Sequence, residues 1–170
     1  NIILTTSGVL IPGPNGGAEQ AVMVTDQIPA SDREDEYRMI AVDTASRRLL
    51  WQSAPLDPKL YNTRILYDDE RIYIISGLSL VALRRTDGTT AWTAPLADQV
   101  SLNICRDRLQ LVDGRLAALS DDGTLEVFDA ATGEAQWQVT TYQDSPRGLY
   151  VLGQRLAFMD RDEDVQGVLR

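Results

Sequence analysis

The sequence contains no histidine. That removes the side chain that most often shuttles protons near neutral pH, ligates metals and serves as the base of nucleophile triads. There is a single cysteine, Cys105, so no disulfide can form within the chain. Beside Ile104 in an alternating stretch, Cys105 reads as a small buried apolar residue. Lysine is almost missing too: Lys59 stands against fifteen arginines. Positive charge is scarce overall, with 16 basic against 25 acidic residues and a net charge of −9. Nucleic-acid phosphate and anionic lipid both require positive charge to displace counterions, so neither is expected as a partner. No apolar run approaches the roughly 18 residues that a membrane-spanning helix needs. No charged start leads into an apolar core, so no signal peptide is visible. The chain begins at Asn1 rather than methionine, which leaves room for a leader or an upstream domain.

What is present is a chain of 170 residues, 44% apolar, enough for a real hydrophobic core. Aromatic residues make up only 6%, yet the three tryptophans are regularly placed. Trp51, Trp92 and Trp137 each close a near-copy of one eleven-residue phrase: AVDTASRRLLW (41–51), ALRRTDGTTAW (82–92) and VFDAATGEAQW (127–137). The steps between them are 41 and 45 residues. A period of about 40 to 50 in a strand-rich chain marks a radial or stacked β-repeat, most often a propeller blade.

The strand signals are short β-rich runs broken by Asp and Gly. The best-defined unit reads Arg64–Tyr67, Arg71–Ile75, Ser79–Leu83 and Thr89–Thr93, with DDE and TDG turns. The next reads Leu109–Val112, Arg115–Ser120, Thr124–Asp129 and Ala135–Thr140, and Gln99–Cys105 adds to its start. Its Asp113-Gly114 pair suits a two-residue hairpin, because both residues tolerate positive φ. A first unit comprises Ile2–Thr5, Ala21–Thr25, Tyr37–Val42 and Leu49–Ser53. It is interrupted by the turn GPNGG (13–17) and by the acidic loop IPASDREDE (28–36), both expected at the surface. A fourth unit has Gly148–Leu152, Arg155–Met159 and Val165–Arg170, without a fourth strand or its tryptophan. The chain is therefore read as all-β, a propeller of four-stranded antiparallel blades with about three and a half present. Approximate blades are 1–57, 58–98, 99–143 and 144–170 of one partial domain. Such an array exposes apolar blade faces, so further blades of the same or another chain are expected to cover them.

The phrase has a mechanical explanation. In the third copy Asp129 accepts backbone N–H bonds inside a turn, and Gly133 takes the left-handed position. Trp137, four residues on, lies in the outermost strand, where such a ring can cover the neighbouring blade and bury roughly 150–250 Å². The pattern resembles the PQQ-like repeat of bacterial eight-bladed propellers, Ala-x-Asp-x-x-Thr-Gly-x-x-x-Trp. Asp129, Thr132, Gly133 and Trp137 match it in the third copy, where Val127 departs. Ala41, Asp43 and Trp51 match in the first, where Ser46 and Arg47 replace Thr-Gly. Ala82, Gly88 and Trp92 match in the second, where Arg84 and Asp87 depart. If the first turn keeps the geometry of the third, Arg47 must adopt positive φ at a cost of about 1 kcal/mol.

The resemblance extends to quinone-dependent dehydrogenases, which use a calcium-held quinone, a catalytic aspartate and commonly a vicinal disulfide. No Cys-Cys pair is present, and no catalytic, cofactor-binding or metal-binding residue is assigned. Asp160, Asp162 and Asp164 alternate as in a calcium loop, but Val165 stands where glycine is usual. They are read as a solvated hairpin tip. Ser7-Gly8 and Gly13–Gly17 lack the lysine and the helix of a phosphate loop. The resemblance implies a non-catalytic scaffold for protein–protein contact, without cofactor, in the bacterial cell envelope or outside the cell. A ligand-binding or sensory module using the funnel of a closed ring is the alternative, and a quinone enzyme the least favoured reading.

Overall fold

The computed structural model of the chain describes residues 2–27, 36–57, 64–97, 108–140, 148–152, 155–159 and 165–169. Among these residues there is no α-helix, and fifteen strands form four sheets. The first sheet runs β1 (Ile2–Ile11), β2 (Gln20–Gln27), β3 (Glu36–Asp43), β4 (Leu49–Gln52). The second runs β5 (Leu66–Tyr67), β6 (Arg71–Ser76), β7 (Ser79–Arg84), β8 (Thr90–Pro95). The third runs β9 (Leu109–Val112), β10 (Arg115–Leu119), β11 (Thr124–Asp129), β12 (Ala135–Thr140). The fourth has three strands, β13 (Gly148–Leu152), β14 (Arg155–Met159) and β15 (Val165–Leu169). In every sheet the strands lie side by side in chain order. The chain is a β-propeller segment of about three and a half four-stranded blades, as the repeat period implies.

Two elements differ from the sequence reading. β1 continues to Ile11 instead of ending near Thr5, because an irregularity between Leu4 and Gly8 shifts the register and lets pairing with β2 resume. GPNGG forms a single 3-10 turn over Pro14–Gly16. The acidic loop through residue 35, Lys59, the stretch 99–105 with Cys105, and Asp160, Asp162 and Asp164 lie outside the described residues.

The chain divides into two compact units, Asn1–Gly77 with Val81–Thr93, and Leu78–Leu80 with Ala94–Arg170. The core of the first follows from strand alternation. Across the first sheet Val9, Val22, Ala41 and Trp51 are register partners and share a face. Val22 and Ala41 are fully buried there and Trp51 nearly so, against Ile72, Ile74, Val81 and Leu83 of the second sheet. Each such aliphatic contributes about 1.5–3 kcal/mol on burial. In the second unit Ala117, Leu119, Leu125 and Val127 of the third sheet pack against Leu149 and Leu156 of the fourth.

Candidate functional site

The repeated phrase places its residues in the turn between the third and fourth strands of a sheet. In all three copies the residue at the glycine position donates its N–H to the carbonyl four residues earlier. These bonds are Arg47 to Asp43 (2.9 Å), Gly88 to Arg84 (2.9 Å) and Gly133 to Asp129 (2.8 Å). A second bond closes each turn: Asp43 N–H to Arg48, Arg84 to Thr89 and Asp129 to Glu134. The backbone is thus one design in three copies, although the side chains differ.

The residue at the glycine position is left-handed each time, with φ of 58° at Arg47, 71° at Gly88 and 76° at Gly133. Arg47 therefore carries the strain that the sequence comparison implies. The carboxylate role also persists where the aspartate moves. Asp129 accepts from the N–H groups of Ala131 and Thr132, both at 2.9 Å, and from the Thr132 hydroxyl. Asp43 accepts the Ser46 N–H at 2.6 Å. In the second copy Arg84 replaces that aspartate, and Asp87 accepts instead from the Thr89 N–H and hydroxyl. The Ser46 backbone donor, and then its hydroxyl, hold Asp43 below the usual carboxylate range. The Thr89 hydroxyl and N–H do the same for Asp87. Asp113-Gly114 forms the expected tight hairpin, with φ of 47° and 73°.

The three tryptophans meet different fates. Trp51 is 6% exposed and its indole N–H donates to the Arg85 carbonyl at 2.9 Å. Its ring lies on Gly88, where an added Cβ would stand 2.4 Å from Trp51 Cε3. The glycine thus serves both the backbone conformation and the ring of the preceding blade. Trp92 is half-buried and lies 5.9 Å, centroid to centroid, from Tyr73 of its own sheet. Trp137 departs from the expected capping role, since it is 41% exposed. Trp51 is covered by the turn between the third and fourth strands of the next sheet.

Three buried charged groups escaped the sequence reading. Arg85 is 3% exposed beneath Trp51. Its guanidinium donates to the carbonyls of Asp68 (2.6 Å) and Pro12 and lies over the Tyr67 ring at 5.6 Å. It thereby ties the end of β1 to the turn before β6. Only the Arg-Arg doublet in the second copy hinted at it. Glu126 is buried in β11 and accepts the Ala97 N–H at 2.9 Å. Arg108 is buried and pairs with Asp121. In addition, Tyr73 is buried and donates its hydroxyl to Asp68, so burial first and that bond second push the phenol well above its ordinary value.

The motif carboxylates close their turns, and Trp51 joins its sheet to the next. Among the described residues no three Cys, Asp or Glu side chains converge as metal ligands would. None of their helices is long and apolar enough to cross a membrane, which says nothing of strands.

Meandering four-stranded sheets joined by glycine-and-tryptophan turns define a β-propeller protein with PQQ-like repeats. The chain belongs to the family described as outer membrane protein assembly factor BamB, whose sequence profile matches residues 21–168. No curated protein matches the chain in sequence. Among solved structures it is similar to the computationally designed Ika4 protein, with a TM-score of 0.58 and 14% identity over 86% of this chain and 84% of that one. It is similar to BamB from Moraxella catarrhalis, with a TM-score of 0.51 and 18% identity over 90% of this chain and 58% of that one. It is also similar to the quinohemoprotein alcohol dehydrogenase from Comamonas testosteroni, with a TM-score of 0.54 and 14% identity over 81% of this chain. The chain spans 21% of that enzyme. At these identities the likenesses establish the fold alone.

Proposed function

We propose that this chain is a non-catalytic propeller module that acts as a scaffold for protein–protein contact in the bacterial cell envelope. The family match over residues 21–168 carries the reading, since that family is described as an assembly factor. The geometry supports it, because the motif aspartates and Trp51 are engaged in building turns and joining blades. Protein partners are expected to dock first of all on the acidic segment 28–36, by its charge.

The test is affinity capture of the tagged chain from envelope extracts, then binding of the purified captured protein to the purified chain. Saturable binding that is lost on deleting residues 28–36 supports the scaffold. Quinone absorbance with calcium-dependent dye reduction would overturn it in favour of an enzyme. A thermal shift with a small ligand, in the absence of any protein partner, would favour a sensory module.

A further inference from the structure

β12 ends the strand order of the third sheet, with β11 as its one neighbour among the described residues. Such an edge presents unpaired backbone donors and acceptors, and proteins blunt it with charge, proline or a short strand. β4 is short, at four residues, and follows Arg47 and Arg48. β8 buries Ala94 and ends in Pro95. β12 has none of these devices. All six of its residues are exposed, and none is charged or a proline. Its pairing with β11 skips Gln136 and is regular from Trp137 to Thr140.

The composition of the strand says what fits beside it. The chain carries a net charge of −9, so two copies repel each other at large. A two-fold contact sets a strip of surface against itself, which favours an uncharged strip. Alternation places Trp137 and Val139 on one face of β12 and Gln138 and Thr140 on the other. Antiparallel pairing of two β12 strands about Gln138 sets Trp137 of each copy opposite Val139 of the other. Aromatic against β-branched is a favourable cross-strand pair, and here it is made twice. Gln138 then faces Gln138 of the second copy, and each amide can both donate and accept. A slip of one residue would set the indole opposite an amide and lose both matches. Trp137 is 41% exposed and Val139 38%, so both have surface left to bury.

We propose that β12 is a dimerisation edge, pairing antiparallel with β12 of a second copy about a two-fold axis at Gln138. The two four-stranded third sheets become one continuous sheet. The proposal goes beyond the scaffold reading and does not depend on it.

Light scattering on the purified chain across a concentration series tests this. A single strand pair is smaller than the standard interface of about 1,600 Å², so a dissociation constant of roughly 10 μM to 1 mM is expected. The mass should rise from 18.8 kDa toward twice that value, because an isologous contact closes at two. Gln138→Glu and Gln138→Lys each set like charges opposite one another and should weaken the dimer about tenfold or more. An equimolar mixture of the two variants should restore it, since glutamate then faces lysine across the axis. Thr93→Glu and Thr93→Lys, at the same place after the tryptophan in β8, should change nothing. Circular dichroism melts identify a variant that fails to fold. Val139→Lys, which sets a charge against Trp137 of the second copy, then decides. A monomer at every concentration up to about 1 mM overturns the proposal. So does association that the Gln138 and Val139 variants leave unchanged, or a mixture of the charged variants that stays monomeric. Loss of partner capture without loss of the dimer would refute only the scaffold reading.

Discussion

Replacing Gly88 by alanine tests the joint between the first two sheets. Two costs arise. Alanine at φ 71° is strained by about 1–2 kcal/mol. In addition its Cβ would lie 2.4 Å from Cε3, 2.8 Å from Cδ2 and 3.0 Å from Cζ3 of Trp51, so the ring must retreat. Complete exposure of a tryptophan of roughly 150–250 Å² at about 25 cal/mol per Å² sets a ceiling of about 4–6 kcal/mol. Partial retreat, with a strained indole bond to the Arg85 carbonyl, gives an expected total of about 3–5 kcal/mol. Gly16→Ala is the control in the same unit, since Gly16 has φ 73° and nothing within 4 Å of its would-be Cβ. It should cost only the strain. Urea unfolding followed by far-UV circular dichroism reads both midpoints and slopes. A double-mutant cycle with Trp51→Ala sharpens the test, because without the ring Gly88→Ala should fall to the cost of the control. The expected coupling is about 2–3 kcal/mol. Equal costs for the two glycine variants, or strict additivity with Trp51→Ala, would refute the argument that Gly88 exists to receive the indole.

Three further outcomes are expected. Arg47→Gly should raise the urea midpoint by the equivalent of about 0.5–1 kcal/mol, since it relieves left-handed strain in an already formed turn and loses part of that gain to unfolded-chain entropy. Arg85→Met should destabilise by about 2–3 kcal/mol in the same assay, because the carbonyls of Asp68 and Pro12 lose a charged donor in a buried place. Acidification should weaken the turns. In the turn before β11 the Ser120 hydroxyl and then the Thr124 N–H donate to Asp122 and hold it below its ordinary value, as Asp43 and Asp87 are held, so the contribution of all three is complete above about pH 4 and disappears as pH falls through the folded values. Side-chain carboxyl titration by NMR should place all three midpoints below 3.8, and Asp122→Asn should flatten the acid limb of a stability–pH profile.

The blades were legible in the sequence because their signals are local. A two-residue alternation needs only neighbouring residues, and an Asp-x-x-x-Gly turn closes on itself within six residues. Even the strain at Arg47 could be read by laying one copy over another. Arg85 was not legible, because a charged residue after a strand reads as solvated, and its burial depends on Pro12, 73 residues away. Glu126 escaped for the same reason, since its donor Ala97 is 29 residues distant.

The tryptophans show why a motif cannot be scored as a unit. The third copy matches the repeat best, yet Trp137 is the most exposed of the three. The first copy has the poorest turn, yet Trp51 is the best buried. The two halves of the phrase serve different interfaces. The aspartate-to-glycine half shapes the turn of its own sheet, and in the second copy it also receives Trp51 of the preceding one. Trp51 reaches toward the following sheet, whereas Trp92 lies against Tyr73 of its own. Trp51 is therefore informative only when read with Gly88 of the next copy. By that pairing Trp51 with Gly88 is a sound joint, tied further by the indole bond to the Arg85 carbonyl.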